Sequence, residues 1–482
     1  MTHDDRSLRR SRTPGATERS GADGPPVATF LEALRDALPA LPLLTERDET
    51  AAFRYDETEY TYPGWPLAVA MPASTAEVAT IVRLAAAHGV PVVPRGAGSG
   101  LSGGATAIDG ALTLVTTKLD KILEIDAANL VAVVQPGVIN ADLGRAAAER
   151  GLFYAPDPAS FEICTIGGNL AENSGGLRCV KYGVTRDAVL GLEVVLADGS
   201  VIRTGGRSIK DVAGYDLTHL FVGSEGTLGI ITEATLRLRP RPAEKLTVLA
   251  FFPSVTAAGD AVARITEAGV VPVTLELMDR FTIRAVDDAA NLGLDREAGA
   301  MLMIESDAGG AAAEDELDRA ERACTAAGAS SLVRAKDATE ADWLRQARRA
   351  AHNSLERAGV ARMDDVGVPR SRIPEMLTAI ERISAAHGLP VGVFGHAGDG
   401  NLHPTFVVDR DDPTAEARIN SARGAIYEAA IALGGTITGE HGTGTAKRAY
   451  LEAQLGPRAV EVMRALKNAL DPQGILNPGK VL

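Results

Sequence analysis

The sequence of 482 residues predicts an α+β protein that is built from two unlike parts. Residues 110–240 carry many short runs rich in β-branched side chains between turn residues, which is typical of strands. Residues 245–390 instead alternate short apolar runs with Ala-rich stretches of helical periodicity. The stretch R-P-R-P-A-E-K at 239–245 separates the two parts, and its prolines and charges are typical of a domain boundary.

Two helices and a short strand are predicted before the strand-rich region. The first helix, V-A-T-F-L-E-A-L-R-D-A-L, begins at Val27 and has one apolar face. The second helix covers residues 75–88, with Thr75 as its predicted N-cap and Gly89 as its stop. Val90–Val93 then forms a short apolar strand.

The strand-rich region predicts strands at 111–115, 130–137, 190–202 and 231–238. Asp198-Gly199 is a hairpin turn signal within the third of these runs. The N-terminus is rich in Ser, Arg, Gly and Pro, a composition that disfavours a packed core. We therefore expect a disordered tail at 1–26, a first domain at 27–241, a second domain at 242–425, and a C-terminal helical segment at 426–482.

Composition argues against several classes of function. The 49 Lys and Arg residues against 63 Asp and Glu residues give a net charge of −14, which disfavours general nucleic-acid binding. We find no apolar run of the length that spans a bilayer. The cysteines, Cys164, Cys179 and Cys324, lie too far apart for an iron–sulfur cluster held by this chain alone. Arg9-Arg10 lacks the apolar segment of a twin-arginine signal, so we expect a cytoplasmic protein that reaches a membrane only through a partner.

A glycine-rich loop, P-R-G-A-G-S-G-L-S-G-G-A, covers residues 94–105. Gly98, Gly100 and Gly103 match the G-x-G-x-x-G pattern of dinucleotide-binding folds. Those folds need a helix directly after the glycines, whereas the residues that follow here predict a turn and a strand. Successive backbone N–H groups of such a loop can still bind a phosphate oxygen. Two hydroxyl donors accompany them, Ser99 and Ser102.

Two further glycine-rich segments, T-I-G-G-N-L-A-E-N-S-G-G at 165–176 and G-S-E-G-T-L-G-I-I at 223–231, lie in the same region. Three such segments indicate a long, extended cofactor. Together with Q-P-G-V, P-D-P-A-S and Y-G-V-T-R-D, they resemble the FAD-binding domain of the vanillyl-alcohol oxidase superfamily. The resemblance runs from about residue 50 to 482, and it is strongest to FAD-linked D-2-hydroxyacid dehydrogenases, namely D-lactate dehydrogenases and the flavoprotein subunit of glycolate oxidase.

This resemblance implies a two-part FAD-binding domain of vanillyl-alcohol oxidase type, an α+β cap for the substrate, and a C-terminal segment that returns to the flavin. Residues 27–241 would bind FAD and residues 242–425 would form the cap. The residues implied to bind FAD are Arg95, Gly96, Gly98, Ser99, Gly100, Ser102, Gly103, Pro158, Ser160, Thr165, Gly168, Asn169, Ser174, Gly175, Ile230 and Asn477. Some members bind FAD covalently through a histidine at the position of Ser99, so the resemblance implies non-covalent FAD here.

Two other side chains of the cofactor region are candidates. Lys480, in the C-terminal tail, is a further candidate for contact with FAD. Glu225 is predicted to hold its own loop by accepting backbone N–H bonds.

A second group of candidate residues lies in F-G-H-A-G-D-G-N-L-H-P and G-E-H-G near the C-terminus. His396 and His403 would point to opposite faces of a straight strand, but Gly398 and Gly400 can bend the chain so that the two rings converge. With Glu440 they match the two-histidine, one-carboxylate set of hydrolytic zinc and non-haem iron sites. The alternative is that each histidine makes only ordinary hydrogen bonds.

The family resemblance implies that His396, His403 and Glu440 bind a divalent metal, with zinc the expected ion, and that His441 is the catalytic base. Asn401 would lie nearby. Arg348, in the helical segment W-L-R-Q-A-R-R-A-A, would bind the substrate carboxylate through its planar guanidinium.

The implied reaction is oxidation of a D-2-hydroxyacid, D-lactate or glycolate, to the 2-oxoacid, with hydride transfer to flavin N5. Relatives acting on 2-hydroxyglutarate carry a lysine near the position of Met363, which favours a monocarboxylate, although Arg362 keeps D-2-hydroxyglutarate as an alternative. Electrons would pass to an acceptor other than NAD: a quinone, a cytochrome, an electron-transfer flavoprotein or an iron–sulfur partner subunit. The sequence is compatible with a homodimer.

Two rival functions share the FAD domain. One is a transferase similar to alkyl-glycerone-phosphate synthase, and the other is a flavin-binding subunit without activity of its own. The histidine pair and the Glu440-His441 dipeptide disfavour both.

Overall fold

The computed structural model describes residues 27–58 and 63–482. The predicted disordered tail at 1–26 lies outside the described residues. The chain forms two sheets around the glycine-rich segments and one large sheet after residue 245, so the α+β prediction is confirmed. Across the described ranges, every helix is too short or too polar to span a bilayer.

The first sheet has four strands in the order β1-β2-β4-β3, and β4 runs parallel to both β2 and β3. Its strands are β1 (Leu43–Leu44), β2 (Ala68–Ala70), β3 (Val92–Arg95) and β4 (Leu112–Val115). Its helices are α1 (Val27–Ala37), α2 (Arg47–Thr50) and α3 (Thr75–His88). α1 packs on α3 through Phe30 and Leu34, whose side chains are fully buried.

The ends of α3 differ in one detail from the sequence prediction. Ser74 is the N-cap, because its hydroxyl accepts a hydrogen bond from the backbone N–H of Glu77 at 3.2 Å. Thr75, the predicted cap, is the first helical residue. Two adjacent hydroxyl residues offer the same chemistry, and the extended backbone of Ser74 decides between them. Gly89 ends the helix in the left-handed conformation, as predicted.

The second sheet has five antiparallel strands in the order β5-β6-β10-β8-β9. The strands of this region are β5 (Ile122–Asp126), β6 (Val131–Val134), β7 (Leu152–Phe153), β8 (Val189–Val195), β9 (Val201–Gly205) and β10 (Ile230–Arg237). Its helices are α4 (Asn140–Ala148), α5 (Ile166–Glu172), α6 (Cys179–Tyr182) and α7 (Thr218–Phe221). The hairpin of β8 and β9 turns at Gly199, where φ is +80°, so the predicted turn is confirmed.

The third sheet contains eight antiparallel strands in the order β15-β12-β14-β13-β18-β19-β16, with β17 paired to β19. The strands that follow β10 are β11 (Arg239–Pro240, paired with β7), β12 (Leu246–Phe252), β13 (Thr274–Asp279), β14 (Ala300–Ser306), β15 (Ser331–Arg334), β16 (Val360–Met363), β17 (Val366–Gly367), β18 (Val391–His396) and β19 (Asn401–Val408). Its helices are α8 (Val255–Glu267), α9 (Arg280–Ala290), α10 (Gly310–Ala326), α11 (Ala338–Arg349), α12 (Ala351–Ala358), α13 (Ile373–His387) and α14 (Ala415–Ala432).

Both faces of this large sheet are covered. Leu302 and Ile304 of β14 pack into one core, which α8, α10, α13 and α14 complete, while Met301 and Met303 pack into a second core with α9 and α12. Strands that are buried on both faces have continuous apolar sequences, which explains the uninterrupted run A-M-L-M-I in β14. The second face also carries the histidines described below.

The C-terminal residues return to the first sheet. α14 runs through residue 425, where the sequence predicts the end of the second domain, and it is followed by α15 (Leu451–Leu455) and α16 (Pro457–Leu470). Leu476 then makes a parallel bridge to Val92 of β3 and is fully buried. The tail therefore ends beside the glycine-rich loop.

Candidate functional site

The glycine-rich loop connects β3 to β4 without a helix, so it does not form a Rossmann turn. Gly98 and Gly103 both have a φ of +81°, in the left-handed region that favours glycine. A Cβ on Gly98 would lie 2.0 Å from the Arg95 guanidinium, which excludes a larger residue. The backbone thus turns sharply at both glycines.

A cavity lies beside this loop, walled also by α5 and by the segment that leads into β10. Most residues implied by the family resemblance to bind the cofactor line it, namely Arg95, Gly96, Gly98, Ser99, Gly100, Ser160, Thr165, Gly168, Asn169, Ser174 and Ile230. Thr165 caps α5 with its hydroxyl, and a Cβ on Gly96 would lie 2.3 Å from that hydroxyl oxygen. The loop and the helix end are therefore in direct contact.

The other residues implied to bind the cofactor lie outside the lining of this cavity. Ser102 and Gly103 belong to the loop itself, and the Asn477 side-chain amide donates to the carbonyl oxygen of Gly104 at 3.0 Å. The carbonyl oxygen of Pro158 accepts from the backbone N–H of Phe161. The last of them, Gly175, lines a second cavity together with His396 and Glu440. In the C-terminal tail, Lys480 donates to the carbonyl oxygens of Gly103 and Thr106.

Arg95 is bound within the loop. Its guanidinium donates to the carbonyl oxygen of Tyr55 at 2.7 Å, and burial lowers its pKa. The same guanidinium nitrogen lies 3.5 Å from the carbonyl oxygen of Ala105, so the Arg95 side chain connects the two ends of the loop to the segment of Tyr55.

Two buried carboxyl groups, those of Glu172 and Glu225, also line the cavity. The Ser102 hydroxyl lies 3.0 Å from Glu172 Oε1 and 3.4 Å from Glu225 Oε2. Burial and the charge of Glu225 raise the pKa of Glu172 well above its ordinary value, and burial raises the pKa of Glu225 to about 7. Both shifts favour the protonated form, and a protonated carboxyl group can donate a hydrogen bond to an anionic ligand.

The histidines converge through a β-hairpin. In the pairing of β18 with β19, Phe394 lies opposite His403 and His396 lies opposite Asn401. Directly opposed residues share a face, as do residues two apart in one strand, so both imidazoles lie on the same face, with ring centroids 5.2 Å apart. The expected convergence is present, but strand pairing produces it rather than a bend within one strand.

Glu440 completes this histidine cluster. His396 Nε2 is 3.0 Å from Glu440 Oε1, and His403 Nε2 is 3.3 Å from the same oxygen. The ligand atoms of these three residues lie within 4.8 Å of one another. Asp365, His403 and His441 form a second, overlapping group within the same limit. The donor set fits a divalent metal of borderline softness.

Glu276, on β13, joins the cluster to Arg348. Its Oε1 is 2.8 Å from His396 Nδ1, and its Oε2 is 2.6 Å from the Arg348 guanidinium. Arg348 also lies over the ring of Phe394, 4.8 Å from its centroid. Arg348 is buried, and its Nε has no hydrogen-bond partner among the described residues. Glu276 thus orients the His396 ring so that Nε2 faces Glu440.

The charges of the cluster are mutually dependent. Burial would lower the pKa of His396, but Glu276 and Glu440 outweigh burial and raise it well above its ordinary value. Burial would raise the pKa of Glu440, but His396 and His403 lower it well below. The carboxylates therefore require a positive charge between them, which a proton or a divalent cation can supply.

The His441 loop, residues 438–444, is held by Asp365. One carboxylate oxygen of Asp365 accepts the backbone N–H groups of Gly439 at 2.7 Å and of Glu440 and His441 at 3.1 Å each. Asn401, implied by the resemblance to lie near the catalytic residues, donates its side-chain amide to the other oxygen of Asp365. Asn401 therefore lies at the cluster and binds Asp365.

The His441 ring is stacked on that of His403, with centroids 5.1 Å apart and planes 4° apart. Burial lowers the pKa of His441 to about 4, even though Asp365 acts in the opposite direction. The imidazole is therefore neutral at pH 7 and is able to accept a proton.

Sequence reasoning missed Glu172, Glu276 and Asp365. A usable signal existed for Glu276, because one glutamate interrupts the apolar strand T-L-E-L-M, and a buried charge needs a partner. Glu225 accepts backbone N–H bonds as predicted, but from Thr443 and Gly444 rather than from its own loop. Those partners are more than 200 residues away in the chain, so the sequence prediction was wrong about the loop.

Comparison with known families agrees with this geometry. Residues 66–205 match the FAD binding domain family, and residues 241–481 match the family of FAD linked oxidases, C-terminal domain. The chain belongs to the FAD-linked oxidase family, and it is an FAD-linked oxidoreductase with a fold of the vanillyl-alcohol oxidase type.

Individual relatives extend this comparison. The chain is 49% identical over 430 residues to glycolate oxidase subunit GlcD of Bacillus subtilis, covering 89% of this chain and 91% of the relative. It is 37% identical to a D-lactate dehydrogenase of Archaeoglobus fulgidus, covering 89% and 95%. A structure of p-cresol methylhydroxylase superposes with a TM-score of 0.78 at 17% identity, covering 94% of this chain and 96% of that chain, which is a likeness of fold alone.

Proposed function

We propose that this protein oxidises a small 2-hydroxyacid, glycolate or D-lactate, to the corresponding 2-oxoacid. The observation that carries the proposal is the direct contact between the FAD-binding segments and the histidine cluster. A Cβ on Gly175 would lie 2.6 Å from Glu440 Oε2, so the second glycine-rich segment adjoins the cluster. The names of the relatives in Bacillus subtilis and Archaeoglobus fulgidus support the two substrates.

His441 is the proposed base. Burial lowers the pKa of His441 to about 4, which favours a neutral imidazole at pH 7, and the ring lies against His403 in the cluster. A neutral imidazole can take the hydroxyl proton of the substrate. The residues that line the cavity beside the glycine-rich loop would hold FAD, which when bound would supply the acceptor for the C2 hydride.

His396, His403 and Glu440 would hold a divalent metal, for which zinc fits the donor set. Such an ion would polarise the substrate hydroxyl. Glu276 orients the His396 ring from behind, and Asp365 fixes the backbone of Glu440 and His441. These two carboxylates keep the proposed ligands and the proposed base in one arrangement.

Arg348 is the proposed partner of the substrate carboxylate. Its Nε is buried without a hydrogen-bond partner among the described residues, and a guanidinium is suited to a carboxylate. Glu276 already balances part of the charge of Arg348. Arg348 would therefore act more by orienting the substrate carboxylate through hydrogen bonds than by its net charge.

A monocarboxylate is favoured over 2-hydroxyglutarate. Met363 lies opposite Thr405 in the pairing of β16 with β19, on the face of the sheet that carries His403. Arg362, the neighbouring cation, belongs to the other face, and its Nε is 2.9 Å from Glu416. Arg362 is therefore badly oriented to receive a second substrate carboxylate.

The electrons would pass to an acceptor other than NAD. The Bacillus subtilis relative is named as a subunit, which supports a partner protein as the acceptor here. A quinone, a cytochrome or an electron-transfer flavoprotein are the other acceptors that we proposed from the sequence.

The test is an anaerobic titration of the FAD-loaded protein with glycolate, D-lactate, L-lactate and D-2-hydroxyglutarate. We expect glycolate or D-lactate to bleach the flavin absorbance near 450 nm. Bleaching by D-2-hydroxyglutarate alone would contradict the preference for a monocarboxylate. A flavin that none of the four reduces would contradict the proposed reaction.

A further inference from the structure

The end of the His441 loop and the residues that follow it contact Ser102 of the glycine-rich loop. The carbonyl oxygen of Ser102 accepts the backbone N–H groups of Thr445 at 3.0 Å and Ala446 at 3.1 Å. A Cβ on Gly444 would lie 2.1 Å from that same oxygen, so the two segments touch without a gap. A shift of one of these loops therefore has to move the other.

Glu225 is the side chain that joins the two loops. Its Oε1 accepts the backbone N–H of Thr443 at 2.7 Å, and its Oε2 accepts that of Gly444 at 2.8 Å. Glu225 also lines the cofactor cavity, and its carboxyl group contacts the Ser102 hydroxyl. One carboxyl group thus contacts both the cavity wall and the His441 loop.

Glu172 also lies between the His441 loop and the glycine-rich loop and contacts both. A Cβ on Gly442 would lie 1.9 Å from Glu172 Oε2, and Glu172 Oε1 lies 3.0 Å from the Ser102 hydroxyl. Asp365, by contrast, holds the earlier part of the His441 loop and does not line the cofactor cavity. Among the described residues, two carboxyl groups bind backbone N–H groups of this loop, those of Asp365 and Glu225, and only that of Glu225 also borders the cavity.

We propose that Glu225 is a positioning residue that couples FAD binding to metal binding by His396, His403 and Glu440. The inference rests on the proposed function, because it takes these three residues as the metal ligands. FAD in the cavity would fix the glycine-rich loop and the segment of Glu225. Glu225 would then fix Thr443 and Gly444, which follow Glu440 closely in the chain. Linkage makes such coupling reciprocal, so metal must tighten FAD by the same factor.

The test measures the dissociation constant of FAD from the full-length protein by the fluorescence of released FAD. The measurement is made with a chelator and with buffered zinc, and zinc binding is verified separately by metal analysis. In the wild-type protein we expect zinc to tighten FAD binding by at least about fivefold. In Glu225→Gln, FAD and zinc should each still bind. The ratio of the FAD dissociation constant with chelator to that with zinc should fall close to one, since an amide cannot accept both N–H groups.

The matched control is Glu233→Gln on β10, a carboxylate that pairs with Arg203 and lies outside the cavity lining. It should keep the wild-type ratio. Gly444→Ala disturbs the same junction from the other loop, and it should also lower the ratio; it serves as the second variant if Glu225→Gln does not fold.

Equal FAD affinity with and without bound zinc in the wild-type protein would overturn the coupling and leave the proposed oxidation intact. An unchanged ratio in both Glu225→Gln and Gly444→Ala would overturn the role of Glu225. A wild-type protein that binds no zinc would remove the metal ligands from the proposed function, and the coupling with them. A loss of stability alone would not change the ratio.

Discussion

Glutamates occur in both regions of the candidate site, but their surroundings shift their pKa values in opposite directions. In the cavity beside the glycine-rich loop, burial raises the pKa of Glu225 to about 7, and burial together with the charge of Glu225 raises the pKa of Glu172 well above its ordinary value. In the histidine cluster, burial also acts to raise the pKa of Glu276 and Glu440, but neighbouring cationic groups outweigh it and lower both. The neighbouring charges, and not the depth of burial, decide which carboxyl groups are ionised.

This difference matches the ligand that each region is suited to receive. FAD, the ligand proposed for the cavity, carries an anionic pyrophosphate, and the raised pKa of both carboxyl groups would reduce their repulsion of it. The histidine cluster has ionised carboxylates between imidazoles, which suits a cation. Each prediction below tests one side of this contrast.

The largest effect is expected for Glu440→Gln. The change removes the ionised carboxylate that lies between His396 and His403, and with it a proposed metal ligand. Loss of several kcal/mol of charge stabilisation lowers the rate of flavin reduction by substrate about a thousandfold. Anaerobic stopped-flow absorbance measures that rate. Glu416→Gln, at an exposed ion pair with Arg362, is the control, and a near-normal rate in Glu440→Gln would refute the ligand assignment.

Glu276→Gln should have the next largest effect. The amide can still contact His396 Nδ1 but lacks the charge that stabilises the ring orientation. We expect zinc affinity to fall by about 10- to 100-fold, measured by competition with a chelator. Glu305→Gln is a matched control, because Glu305 is equally buried in the neighbouring strand but pairs with Lys245 and Arg345. An equal loss in both variants would show that Glu276 acts only through stability.

A pH dependence should distinguish the cofactor cavity from the cluster. The pKa of Glu225 is about 7 in the folded protein, above its ordinary value of 4.5, so its contribution to stability is complete below about pH 4.5. That contribution is lost as the pH rises towards 7 and above. Urea unfolding at pH 5 and pH 8 should show a decline that is about 1–3 kcal/mol smaller in Glu225→Gln than in the wild-type protein. In Glu233→Gln the free energy of unfolding should decline between pH 5 and pH 8 as in the wild type. The same decline in all three proteins would disprove the raised pKa of Glu225.

The smallest effect is expected for Ser99→Ala in the glycine-rich loop. Loss of one hydroxyl donor among the several donors of the loop, about 0.5–1.5 kcal/mol, should weaken FAD binding by roughly 2- to 10-fold. The fluorescence of released FAD measures this change. Denaturation of the wild-type protein should free all of its flavin, because Ser99 offers no covalent link. Flavin that stays on the denatured chain would contradict the non-covalent assignment.

The parts of the site that the sequence predicted correctly are those where function depends on local chain geometry. Gly98 and Gly103 need left-handed backbone, and the pattern of glycines therefore indicated the loop. The Asp198-Gly199 turn and the ends of α3 are local in the same sense, and the error between Ser74 and Thr75 is a shift of one residue.

The contacts that the sequence could not predict join distant segments. Glu276 reaches His396 across 120 positions, and Glu225 reaches Thr443 across 218. Residue type indicates that such a buried carboxylate needs a partner, but only the packed sheet and loops decide which partner it meets. The convergence of His396 and His403 was predictable because a short turn links them, although strand pairing and not a bend produces it.

The most direct test of the central claim, that His441 takes the substrate proton while bound FAD takes the hydride, is single-turnover flavin reduction in His441→Ala. The variant should keep its FAD spectrum and its metal content, because His441 is outside the proposed ligand set. We predict that the rate constant of flavin reduction by glycolate or D-lactate falls by at least about 100-fold. A rate constant within a few-fold of the wild-type value would contradict the account.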